Sequence, residues 1–186
     1  MSTLDHIESI VETTPYMRRQ KAELLEDLFT RLQPQRLVEI GTYHGTGTCY
    51  LAALAAQYGG HVTTIDLPWT ENADHQPQVE QLLCECELTN VTVVRRPDGA
   101  EGWFRDYFAA GEQPLDFVYI DGGHTWSAVI AQFAMAYRSL RRGGWLVFDD
   151  IQNLKYPEVC QAWHQVVKPL SDHVRTAGNW GFSMRR

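Results

Sequence analysis

The chain has 186 residues, of which 44% are hydrophobic and 21% charged, and a formal net charge of −7. That length fits one domain with a sizeable core, and the composition is that of an ordinary globular protein. The acidic balance and the scatter of the arginine pairs (Arg18-Arg19, Arg141-Arg142, Arg185-Arg186) disfavour electrostatic binding of nucleic acid. No apolar run is long enough to span a membrane, and the N-terminus lacks the basic and apolar regions of a signal peptide. The four cysteines, Cys49, Cys84, Cys86 and Cys160, form no C-x-x-C pair, so reduced thiols in a cytoplasmic protein are expected rather than a zinc site.

Two amphipathic helices are predicted to open the chain, the second from about Met17 to Leu32, with Leu24, Leu25, Leu28, Phe29 and Leu32 at helical spacing. Pro34 stops it. Strand one is Arg36 to Ile40, followed by a helix from about Thr46 to Gln57 that ends at Gly59-Gly60. Strand two is His61 to Asp66. A polar stretch from Pro68 to Pro77 leads to a helix near Val79 to Leu88. Strand three, Val91 to Arg95, precedes a helix from Gly99 to Ala110, and strand four is Leu115 to Ile120. A long helix from Trp126 to about Leu140 is predicted to end at Arg141-Arg142-Gly143-Gly144, with cations and glycine at its C-terminus. Strand five is Trp145 to Phe148. A helix from about Pro157 to Val167 follows, then a hairpin of His173 to Thr176 and Phe182 to Arg185, joined through Gly178 and Gly181. The alternation of strand and helix predicts a doubly wound α/β fold with a mainly parallel sheet. The chain reads as a single domain, residues 1–33 forming a helical cap and 34–186 the core.

In such a sheet ligands bind beyond the carboxyl ends of the strands. After strand one stand Glu39, Gly41, Tyr43, His44, Gly45, Gly47 and Thr48. Glycines in a strand-to-helix turn allow positive φ and close approach of a ligand, and an acidic residue ahead of them suits an ammonium better than a phosphate. A dinucleotide fingerprint read from Gly45 fails, because Tyr50 occupies the place of its third glycine. Asp66 ends strand two, where a carboxylate accepts ribose hydroxyls or serves as a turn residue. Asp98 follows strand three and is equally suited to a helix N-cap. Asp121-Gly122-Gly123-His124 follows strand four, and Asp149-Asp150 follows strand five. Three converging carboxylates repel one another unless a cation lies between them, and hard oxygen ligands suit Mg²⁺, Mn²⁺ or Ca²⁺.

The run E-I-G-T-Y-H-G-T-G from Glu39 resembles motif I of the class I S-adenosylmethionine-dependent methyltransferases. YIDGGH and VFDD resemble the strand-four and strand-five motifs of the cation-dependent O-methyltransferases, of catechol, caffeoyl-CoA and bacterial natural-product type. The likeness runs from about Val38 to Ile151. It implies a seven-stranded sheet with an antiparallel terminal hairpin. It implies S-adenosylmethionine bound by Glu39, Gly41, Tyr43, Gly45, Gly47, Thr48, Asp66, Asp98 and Asp121. It also implies a cation, Mg²⁺ by ligand type, on Asp121, Asp149 and Asp150. The acceptor would be a small molecule carrying a hydroxyl group: a sugar, phenol or other natural product. Homo-oligomers are common by the same resemblance. His124 stands where the catechol-type enzymes carry a lysine base, and its imidazole is suited to take a hydroxyl proton near neutral pH. His44 is the second candidate base. Trp103 is a possible neighbour of adenine, and Trp69, Trp126, Tyr156 and Trp180 are possible neighbours of an aromatic acceptor. Three rivals remain: a metal-independent methyltransferase, a nicotinamide dehydrogenase and a non-catalytic S-adenosylmethionine-binding protein.

Overall fold

A computed structural model of the chain describes residues 3–11, 17, 19–68 and 75–186. Trp69 and most of the polar stretch after strand two lie outside the described residues. Five strands, β1 (Arg36–Ile40), β2 (His61–Asp66), β3 (Val91–Arg95), β4 (Leu115–Ile120) and β5 (Leu140–Phe148), pair in parallel. β6 (Asp172–Ala177) and β7 (Trp180–Met184) form the terminal hairpin, with β7 antiparallel to β5. The order is β3-β2-β1-β4-β5-β7-β6. The winding therefore reverses between β1 and β4, which opens a crevice at their carboxyl ends.

The two-residue period of the strands sorts the core onto both faces of the sheet. Leu37, Phe117, Tyr119 and Val147 pack with α1 (Thr3–Val11), α2 (Arg19–Leu32), α3 (Thr46–Ala56) and α4 (His75–Glu85). Val38, Ile40, Val118, Ile120, Leu146 and Phe148 pack with α5 (Gly99–Ala110), α6 (Trp126–Ser139) and α7 (Pro157–Ala162). α3 is buried from Thr48 to Ala55. A helix apolar all round must lie inside, so the motif after β1 is anchored by a helix sandwiched between the sheet and the N-terminal helices.

Several boundaries differ from the sequence reading; α4, for example, spans His75–Glu85 rather than Val79 to Leu88. α6 stops at Ser139, its C-cap Leu140 is already extended, and Arg141 to Gly144 belong to β5. The cause is Asp116: its Oδ1 accepts from Arg141 Nε at 2.5 Å and its Oδ2 from the Gln35 and Arg36 amides, which ties the start of β5 to β4 and β1. Gly181 lies within β7 rather than in the hairpin turn, and its lack of a side chain admits the Trp163 ring, which a Cβ there would meet at 2.4 Å. After α7 the chain passes through a π-helical turn, Trp163–Val167, into α8 (Lys168–Leu170).

Candidate active site

The carboxyl ends of β1, β2, β4 and β5 border one open cavity of about 780 Å³. Glu39 lies at its floor, fully buried on the α3 side of β1. Its Oε2 accepts from Thr48 Oγ1 at 2.5 Å and Thr64 Oγ1 at 2.6 Å, while its Oε1 flanks Gly47, where a Cβ would sit 2.9 Å away. Burial pushes the Glu39 carboxyl up to about 7, although both threonine hydroxyls oppose the shift. Thr48 is itself buried and does not line the cavity; it acts by holding Glu39. Gly45 caps α3 with φ 85° and faces Val79 rather than the cavity.

Asp66 closes the turn. Its Oδ2 accepts from the amides of Thr42 at 3.0 Å and Tyr43 at 2.9 Å, and its Oδ1 from Leu67 N–H at 2.8 Å. The guanidinium of Arg95 lies 3.1 Å away. Asp66 thus shapes the turn as well as lining the cavity. Asp98 is turned out of the cavity. It occupies the N-cap position of α5 without making a side-chain cap bond, and it pairs with Arg96 at 2.5 Å and Arg105 at 3.1 Å. The Arg96 guanidinium holds its carboxyl down at about 2. Its neighbours Gly99, Ala100 and Glu101 line the cavity instead. Trp103 stacks on Tyr107 at 5.0 Å and is likewise outside the lining.

Beyond β4 and β5, side-chain oxygen or nitrogen atoms of Asp121, His124 and Asp150 all lie within 4.8 Å of one another. His124 Nε2 is 3.3 Å from Asp150 Oδ2 and 3.9 Å from Asp121 Oδ1. Thr125, not His124, is the N-cap of α6 and accepts from Ala128 N–H, so the imidazole is left to the cavity, stacked on Tyr156 at 3.7 Å. Burial and the charges of Asp149 and Asp150 push the Asp121 carboxyl well up. Asp150 goes the other way: burial raises it, but hydrogen bonds from His124, Asn153 and Asn179 outweigh that and hold it down.

Asp149 is placed apart from that group. Its Oδ2 accepts from Lys21 Nζ at 2.5 Å and Tyr119 OH at 2.7 Å, and its Oδ1 from the Asp150 amide at 2.7 Å. The strand alternation explains this: Asp149 continues the face of Val147, toward α2, whereas Asp150 takes φ 62° and turns back to Asp121. Lys21 and Gln132 also line the cavity and were not singled out from sequence. Gln132 is 5% exposed, and its Oε1 has no hydrogen-bond partner among the described residues. Of the aromatic residues expected near an acceptor, Tyr156 lines the cavity, Trp180 is buried beneath Lys21, and Trp126 is outside the lining.

A family model described as a methyltransferase domain matches residues 38–151. An uncharacterized protein, R132, of Acanthamoeba polyphaga mimivirus is 37% identical over 57 residues, a stretch covering 30% of this chain and 26% of the viral protein. Among solved structures, an O-methyltransferase from Bacillus cereus in complex with SAH has TM-score 0.71 at 18% identity, covering 100% of this chain and 91% of that one. The O-methyltransferase TomG from Streptomyces achromogenes, involved in tomaymycin synthesis and solved with SAM, has TM-score 0.70 at 19% identity, with the same coverage of 100% and 91%. At those identities the structures establish the fold, and the domain match supplies the family. The chain belongs to the methyltransferase-domain family.

Proposed function

We propose that the chain transfers the methyl group of S-adenosylmethionine to a hydroxyl oxygen of a small molecule, assisted by a divalent cation. The observation that carries this reading is one cavity joining the Glu39–Asp66 turn to the Asp121–His124–Asp150 group. Its size suits a cofactor with a small acceptor. Glu39 would pair with the methionine ammonium, the turn after β1 would hold the methionine portion, and Asp66 would accept from the ribose. His124 would take the acceptor proton. The sulfonium already carries its leaving group, so the protein's task is alignment for in-line attack.

The donor set fits a hard cation. Asp121 is held well above the usual carboxylate range by burial and by the charges of its acidic neighbours, a cost that a bound cation would offset. Asp121 and Asp150 would hold the ion, Mg²⁺ by ligand type, and when bound it would acidify the acceptor hydroxyl. Calorimetric titration with S-adenosylmethionine, with Mg²⁺ and after chelation, tests the assignment. Micromolar binding (about −8 kcal/mol) is expected, followed by methylation within a panel of phenols and glycosylated natural products. No binding under either condition sinks it.

The ammonium role of Glu39 makes binding depend on pH. With its carboxyl at about 7 in the free protein, cofactor affinity should rise on the order of fifteenfold from pH 5.5 to 7 and level off above that, a range in which the cofactor's own ammonium stays protonated. The stability of the free protein runs the opposite way. An unfolded glutamate ionises near 4.5, so the buried charge costs stability progressively from that pH up to about 7, on the order of 3 kcal/mol in full. Glu39→Gln should flatten both profiles. A flat affinity profile in the parent chain would remove this role.

Gln132 Oε1 is a buried acceptor in want of a donor, which the exocyclic amino group of adenine would supply. Gln132→Leu is expected to weaken S-adenosylmethionine about tenfold while leaving the melting temperature unchanged or raised. Unaltered affinity, or equal binding of the hypoxanthine analogue by the parent chain, would rule it out.

A further inference from the structure

Lys21 comes from the first turn of α2, yet its ammonium reaches across the cavity wall to the end of β5. It lies 2.5 Å from Asp149 Oδ2 and 5.4 Å from the centre of the Trp180 ring. Tyr119 OH donates to the same carboxylate oxygen at 2.7 Å. The other oxygen accepts from the Asp150 amide at 2.7 Å and lies 3.5 Å from Asn179 Nδ2. Two donors on each oxygen use the acceptor capacity that a metal ion would need. Asp149 is only 5% exposed, so its charge requires a partner inside the protein, and Lys21 is that partner. Asp150 is arranged otherwise: Asn153 and Asn179 hold its Oδ1, while its Oδ2 faces His124.

We propose that Lys21 is the built-in counter-ion of Asp149 and withdraws this carboxylate from the cation site. Two carboxylates, Asp121 and Asp150, are then left to face the ion. This rests on the cation-assisted reading above, and it concerns which side chains bind, not whether methyl transfer occurs. The site then has two sets of groups side by side: an ammonium–carboxylate–phenol set facing α2, and Asp121, His124 and Asp150 as the cation-facing set. Lys21 also ties the N-terminal helices to the reaction centre, because losing the contact would free a third carboxylate.

The test is Mn²⁺ binding to the full chain, read from the free-ion electron paramagnetic resonance signal without any turnover, with S-adenosylmethionine affinity measured on the same samples. In the parent chain, Asp150→Asn is expected to weaken Mn²⁺ more than tenfold and Asp149→Asn less than twofold. Lys21→Met should tighten Mn²⁺ about tenfold, and the gain should vanish in the Lys21→Met/Asp149→Asn double variant, a cycle that isolates the pair. Circular dichroism and unchanged cofactor affinity exclude a folding defect. Asp149→Asn weakening Mn²⁺ as much as Asp150→Asn overturns the proposal. So does a Lys21→Met variant that binds Mn²⁺ no better than the parent, including the case in which neither binds. Loss of cofactor binding in the parent chain would instead strike the reading of function.

Discussion

Gly41→Ala is expected to abolish measurable S-adenosylmethionine binding and to destabilise the chain by about 3 kcal/mol or more. Two independent costs fall on this residue. Its φ of 94° lies in the region where a Cβ is strained. The added carbon would also sit 2.1 Å from the carbonyl oxygen of Asp121, 2.7 Å from its carbonyl carbon and 3.2 Å from Gly122 Cα. All three are backbone atoms, so no side chain can move aside. Relief would require β1 and β4 to part where the Asp121 amide bonds Ile40 O, next to the bond by which the Gly41 amide ties β1 to Ile65 O of β2. That is the switch point itself, so the glycine-rich turn after β1 and the Asp121 carboxylate would be displaced together. Gly178 provides the control: its φ is 55° with nothing within 4 Å of a Cβ, so Gly178→Ala should cost about 1 kcal/mol. Urea denaturation of the two variants, with calorimetry on the folded fraction, reads the difference. A Gly41→Ala protein as stable as Gly178→Ala and still binding cofactor would contradict this account of the crevice.

The strand series was legible because each strand is a short apolar run closed by a polar or glycine residue, and a parallel sheet leaves few topologies for such a series. The turn after β1 was legible for a local reason: its glycines are close in sequence and their conformational demand does not depend on distant residues. What could not be read were the partners that long-range packing brings in. Lys21 is 128 residues from Asp149, and nothing around it in the sequence marks it as other than a solvated helix residue. Gln132 reads as a polar position on α6 until the fold buries it against Gly122 and Gly123. Asp98 illustrates the reverse failure, since its position suits a ligand but two arginines, one of them seven residues on, capture the side chain. One signal was available and unused. Adjacent residues at a strand end point to opposite faces, so Asp149 and Asp150 were poor candidates for a shared ligand set unless the backbone turned between them. It does turn, at Asp150, and the turn carries Asp150 rather than Asp149 to Asp121.

His124→Gln is expected to lower kcat by 10² to 10⁴ while leaving the S-adenosylmethionine Kd within about twofold. The side chain has three features of a proton acceptor and none of a structural post. Thr125 performs the capping of α6, so the helix does not need the imidazole. The ring is about one-third exposed, toward the cavity, and stacked on Tyr156, which fixes its plane. Its Nε2 lies 3.3 Å from Asp150 Oδ2, a carboxylate held ionised by its hydrogen bonds from His124, Asn153 and Asn179, and one that would stabilise the imidazolium formed on proton uptake. Glutamine keeps the hydrogen bond to Asp150 but cannot accept a proton, so it separates the two roles. His124→Lys, which supplies the lysine base that the sequence resemblance implies at this position, should recover part of the lost rate and move the rising limb of the pH–rate profile upward. Loss of cofactor affinity or of thermal stability in His124→Gln would point to a structural role instead. A kcat within a few-fold of the parent would pass the proton to another group, and His44, in the turn after β1 and lining the same cavity, would be the next side chain to replace.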